Sequence, residues 1–171
     1  MQKEKAEVWL RGPVAGIPPL LQPVAHALLQ AQEELTLLEN NFPADLLWEK
    51  PAGVASVGFH MQHITGVLDR LFTYARGESL SEGQLEYLRS EGQVPELTVT
   101  YEMLLSQLGQ QLDQVIAQLR TTDEHTLTEV RFVGRAMIPS TQLGLLFHAA
   151  EHTQRHVGQL LVTARILQYK G

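Results

Sequence analysis

The stretch Leu145–Leu161, LLFHAAEHTQRHVGQLL, carries His148, His152 and His156 at intervals of four residues. Four residues is about one helical turn, so on a helix the three imidazoles stack along one face. Two neutral imidazoles one turn apart can hold a divalent metal ion. The same spacing also arises where histidines are simply half-buried polar residues, and a single pair does not separate the two readings. Helical phase ranks the three. The apolar stripe runs through Leu146, Ala149, Leu160, Ala164 and Leu167; His156 sits closest to it, His152 next, and His148 at its edge. His152 and His156 are therefore expected to point inward, with His148 at the rim. A buried imidazole needs a partner, and one shared cation would serve both rings.

Two ligands from one helix under-hold a metal; a catalytic site of the zinc type uses three protein ligands and keeps one position open. The other helical stretch with clustered histidines runs from about Ser56 to Arg76 and carries His60 and His63. Its apolar face is Val57, Met61, Ile64, Val67, Leu68, Leu71 and Phe72, which places His60 nearer the stripe and His63 on the flank. Periodicity alone therefore favours His60 as the third ligand.

The frame for these residues is read from apolar periodicity. A first helix is predicted from about Leu20, after Pro18 and Pro19, to Asn40, with Asn40-Asn41-Phe42-Pro43 as its stop. The second ends at Gly77. Ser81, followed by acidic residues, marks a short surface helix within the charged segment 78–94. A third long helix is predicted over about Thr98 to Leu119. A fourth begins after Pro139, with Ser140 or Thr141 as N-cap, and runs to about Gln168. Between them, TEVRFVGRAMIP reads as extended, with Val130, Phe132 and Val133 packing over a bundle end, and Trp48 is expected to cap the core. Four long amphipathic helices give an all-α fold, a four-helix bundle, in which metal sites lie between facing helices. Residues 1–16 are expected to be an irregular tail, and 17–171 one domain.

Composition excludes several classes of function. The 171 residues contain no cysteine, which removes disulfides, protein thiolate catalysis and cysteine zinc sites and suits a reducing cytoplasm. A net charge of −6 argues against nucleic-acid binding. No apolar run approaches the roughly 20 residues of a membrane span, and the first residues lack the apolar core of a signal peptide. Two functions of different class remain: a metal-dependent enzyme, or a metal-stabilised binding or scaffold protein without turnover. Around the histidines, Glu151 and Arg155 can orient ligands or bind an anion, though a solvated salt bridge is the simpler reading. Gln159 lies one turn beyond His156. Asp69 and Arg70 read as a surface or inter-helix pair, and Tyr74 and Arg135 as residues of the bundle mouth; His26 reads as solvated.

The runs HMQHITGVLDRLFTYARG and VGRAMIPSTQLGLLFHAAEHTQRHVGQLL resemble the DinB-like superfamily of DinB/YfiT type. The most specific elements are His-Ile-x-x-x-x-Asp-Arg on the second helix and His-x-x-x-His on the fourth, and the resemblance extends from about Leu20 onward. It implies a four-helix bundle of DinB/YfiT type. It also implies a divalent metal ion, zinc or nickel, on His63, His152 and His156, with His63 in place of the His60 that phase favours. The superfamily includes thiol-dependent transferases, among them bacillithiol transferase-like proteins and mycothiol-dependent maleylpyruvate isomerase. By resemblance, the expected partners are a low-molecular-weight thiol and a small electrophilic substrate, in a cytoplasmic homodimer; a hydrolase is the sibling expectation.

Overall fold

Buried apolar residues recur three and four apart along four long segments, and each segment is a helix in the computed structural model, which describes residues 5–39, 42–94 and 99–169. In chain order the elements are α1 (Gln22–Glu39), α2 (Val57–Ala75), the short α3 (Glu82–Ser90), α4 (Tyr101–Thr121), a hairpin of β1 (Val130–Val133) and β2 (Ile138–Thr141), and α5 (Gln142–Gln168). Helix α1 packs on α4 and α5, and α2 packs on the same two, so the order around the bundle is α1–α4–α2–α5. Their stripes meet in one core that includes Leu28, Leu35, Ile64, Leu68, Leu108, Leu112, Leu146 and Leu160. The one buried tyrosine of that core, Tyr101, donates its phenol to Leu35 O at 2.9 Å, which satisfies the polar tip.

The helix ends follow local chemistry. Ser56 caps α2 by accepting from Phe59 N, and Thr100 and Thr141 cap α4 and α5 in the same way. Ser81 and Gln84 form a reciprocal capping box at the start of α3. Gly77, at φ +79°, ends α2 in the left-handed conformation that glycine adopts without penalty. The asparagines expected to stop α1, at 40 and 41, lie outside the described residues. The third long helix starts at Tyr101 and the fourth at Gln142, each one residue beyond its cap.

Two expectations are corrected and a third is located. Residues 8–11 form a 3-10 turn rather than an irregular tail; Val8 is buried beside α1, and Lys5 and Arg11 both pair with Glu33. In the hairpin only Val133 packs on the core. Val130 and Phe132 remain 56% and 47% exposed, because strand alternation turns Arg131 and Val133 inward together. The inward Arg131 has work there: its Nε and Gln142 Nε2 both donate to Ala75 O, closing the C-terminal end of α2. Finally, Tyr74 and Arg135 line a cavity of about 530 Å³ between the hairpin and the end of α2. Tyr74 lies eleven residues beyond His63, about 16 Å along the helix axis, so this cavity is remote from the histidines.

Trp48 rests on the first turn of α2. A β-carbon built on Gly58 would lie 2.6–2.8 Å from three atoms of the indole ring. Gly58→Ala gains at most about 1 kcal/mol of helix propensity, while crowding a rigid ring costs about 1–3 kcal/mol. The variant is expected to be net destabilised, with a lower melting temperature by circular dichroism and a changed near-UV tryptophan signal. An unchanged or raised melting temperature would show that the indole moves aside freely.

Candidate metal centre

Helix α2 delivers His60 and His63 to the seam it forms with α5, and α5 delivers His152 and His156 from successive turns. His63, His152 and His156 each offer a ring nitrogen, and these atoms lie within 4.8 Å of one another. The Nε2 atoms of His63 and His152 are 3.0 Å apart, and the ring centroid of His63 is 4.5 Å from that of His156 and 5.2 Å from that of His152. His60, at 3% exposure, lies one layer back: its Nδ1 is 2.9 Å from Nδ1 of His156. The apolar stripe of α2 aims at the centre of the bundle, whereas the seam with α5 runs along its flank, which is where His63 points. Phase thus identified the more buried ring, and His63 is the one whose ring nitrogen groups with those of His152 and His156. His148 is exposed at the rim, its ring centroid 5.2 Å from that of His152.

The second ring nitrogens are held from outside the trio. His63 Nδ1 is 2.7 Å from Glu91 Oε2, and the other oxygen of Glu91 accepts from Arg70 Nη1 at 2.6 Å. Phe59 stacks on the His63 ring, with centroids 5.3 Å apart and planes 13° from parallel. With both Nδ1 atoms of His63 and His156 engaged, their Nε2 atoms are left to face the cluster. His152 Nδ1 is buried without a hydrogen-bond partner among the described residues. A buried polar atom in that state is costly. The three imidazoles of the cluster form a donor set suited to zinc, nickel or copper.

The field of the site keeps rings neutral. Burial, with His63 adding to it, pushes His60 down to about 4. Burial, followed by the charges of His63 and His152, pushes His156 down to about 4 as well. His152 is lowered for the same first reason, with Glu151 opposing. An imidazole ligates only when neutral, so the shifts favour ligand readiness at neutral pH.

Among the flanking residues, Arg155 and Glu151 form an ion pair on the exposed side of α5, as the simpler reading held. Arg70 does not pair with Asp69; it is buried and turns to Glu91. Glu91, whose side chain is 5% exposed, is the residue that sequence reasoning missed, because it lies in a charged segment read as surface. One signal was present: Gly66 interrupts α2 in mid-helix, where glycine costs about 1 kcal/mol against alanine and implies close packing. A β-carbon there would meet Glu91 Oε1, with Arg70 Nη1 at 2.6 Å and the Tyr87 ring at 2.8 Å. Beside the cluster, Val54, Ala55, His60, Gln159, Val162 and Ile166 line an open groove of about 640 Å³.

A four-helix bundle with a three-histidine group in one seam defines a class of helical proteins equipped to hold a metal ion. The chain belongs to the DinB superfamily, whose sequence profile matches residues 18–160. The crystal structure of the conserved protein of locus from Enterococcus faecalis has a similar fold, with a TM-score of 0.67 at 19% identity, covering 86% of this chain and 96% of that one. No functionally curated protein matches the chain. No helix of the described residues is long and apolar enough to cross a membrane.

The lowered histidines carry a stability consequence. A group whose folded pKa lies below its unfolded value stabilises the fold above the unfolded value, and that stability drains away as pH falls toward the folded one. For His60 and His156 the window runs from 6.5 down to about 4. Glu33, held at about 2 chiefly by its hydrogen bond to Arg11, adds a weaker, solvent-screened loss only below 4.5. The melting temperature of chelator-treated protein is expected to fall between pH 6.5 and 4, and to fall less in His60→Gln. A flat profile across that window would contradict the burial of these rings.

Proposed function

We propose that His63, His152 and His156 bind one divalent cation, zinc or nickel, and that the chain is a metal-dependent enzyme transferring a low-molecular-weight thiol to a small electrophile. The observation carrying this reading is the convergence of three ring nitrogens within 4.8 Å from two helices, beside an open groove. Three protein ligands leave a position for an exogenous group, in keeping with the open form of catalytic sites. When bound, the cation supplies the Lewis acidity that lowers the pKa of a thiol or water. The chain's own residues do the rest. His60 Nδ1 lies 2.9 Å from His156 Nδ1; the tautomer in which His60 accepts there presents Nε2 of His156 to the cluster. Phe59 shields the outer face of His63 from water. The groove walled by Val54, Val162 and Ile166 suits the apolar part of an electrophile, with Gln159 as a hydrogen-bonding group along it. Because the chain has no cysteine, the sulfur must arrive with a cosubstrate. Hydrolysis at the same centre is the sibling reaction. A homodimer belongs to this proposal; Phe147, Val162 and Ile166 leave an apolar face of α5 exposed to support one.

Elemental analysis is expected to find about one divalent ion per chain, with His63→Ala, His152→Ala and His156→Ala each losing it. Metal-loaded protein given a thiol and a chromogenic electrophile is expected to turn over, and the three variants are expected to lose at least about 100-fold in kcat/KM, the scale on which catalytic sites lose activity when a main component is removed. Metal-dependent stability with no turnover across a thiol and ester panel would overturn the enzyme reading in favour of a scaffold.

A further inference from the structure

Glu91 is the C-cap residue of α3, a nine-residue helix that buries no side chain of its own. Its carboxylate nevertheless reaches the interior. Three other contacts set α3 and its following turn against α2: Tyr87 Oη donates to Gln62 O at 3.2 Å, Gly92 N to Gln62 Oε1 at 2.8 Å, and Gln84 Nε2 to Thr73 Oγ1 at 2.8 Å; the carboxylate itself accepts from Arg70 Nη1 at 2.6 Å. The turn is made possible by Gly92 at φ +79°, packed on Phe59, and the space for the carboxylate by Gly66. Helix α3 is thereby a mount for one side chain at the back of His63.

We propose that Glu91 is a positioning residue of the metal centre: it takes the Nδ1–H of His63, fixes the tautomer in which Nε2 carries the lone pair, and aims that lone pair at His152 and His156. This rests on the three-histidine reading above. The two oxygens divide the labour. Oε1 serves Arg70 and Oε2 serves His63, so each donor has an acceptor of its own. That division makes a specific forecast for Glu91→Gln, which keeps the shape. The guanidinium of Arg70 carries only donors and retains the single amide oxygen; the amide NH2 then faces His63 Nδ1 and demands a lone pair there. The ring proton is driven to Nε2, which is the nitrogen that should ligate.

The test uses the full-length chain, with imidazole 15N shifts in the metal-free protein and zinc affinity by chelator competition. His63 signals are assigned against His63→Asn. In the wild type His63 is expected as the Nδ1–H tautomer, shifting toward Nε2–H in Glu91→Gln. Zinc affinity is expected to fall about 10- to 100-fold, the range found when a group orienting a ligand is lost. Adding Arg70→Met frees the amide to turn its oxygen to His63, and the double variant is expected to recover part of the lost affinity. A merely structural role gives the opposite order, with the double variant weakest. Overturning results are an Nε2–H tautomer in the wild type, a tautomer unchanged in Glu91→Gln, or a double variant weaker than the single. If the wild type binds no zinc, the metal reading fails, and the tautomer comparison still decides the role of Glu91.

Discussion

The seam between α2 and α5 withdraws imidazole rings from water, and most of the surrounding design answers to that. Desolvation penalises the charged form of histidine, so His60 and His156 are held neutral well below the pH at which a free histidine would protonate. Neutral rings are ligands; they are also polar groups that must find partners in a dry place. Every nitrogen in the seam poses the same question of where its proton or lone pair goes. His63 answers with Glu91, His156 with His60, and His152 Nδ1 finds no protein partner among the described residues. The unequal answers leave one ring nitrogen of the cluster unsatisfied, which a set of fully satisfied core histidines would not.

Much of the scaffold was legible because it follows from periodicity and caps. The stripes of α1, α2, α4 and α5 are long and regular, and Ser56, Ser81 and Thr141 announce helix starts by side-chain chemistry that acts within three residues. The pair on α5 was legible for the same reason: i, i+4 is a local relation. Choosing between His60 and His63 was not local. Phase measures distance from a helix's own apolar stripe, and that stripe points at the bundle centre. The direction of a neighbour at the flank is set by the order of helices around the bundle, which no single helix records. Family resemblance favours His63 where periodicity favours His60, and it is His63 whose ring nitrogen lies within 4.8 Å of those of His152 and His156.

Glu91 lay beyond reach for a related reason. It sits twenty-eight residues from its histidine, in a segment whose charge and glycine content mark it as solvent-facing, and nine of its neighbours in α3 are not buried. Burial of a single carboxylate by contacts from another helix leaves no pattern in its own segment. The trace it leaves is elsewhere, in the missing side chain of Gly66 on α2. Likewise Arg70, beside an aspartate in sequence, looks past it to a partner supplied by tertiary structure.

The attachment of α3 separates two burdens that many metal proteins place on the same residues. The bundle core is closed by α1, α2, α4 and α5, while the carboxylate behind His63 arrives on an appendage that contributes no buried side chain. Under the proposed role of Glu91, changes in the appendage would retune donor strength at the three histidines while the core helices keep their packing. Such an arrangement lets one bundle diversify its chemistry at the periphery, as interchangeable tooling on a common chassis.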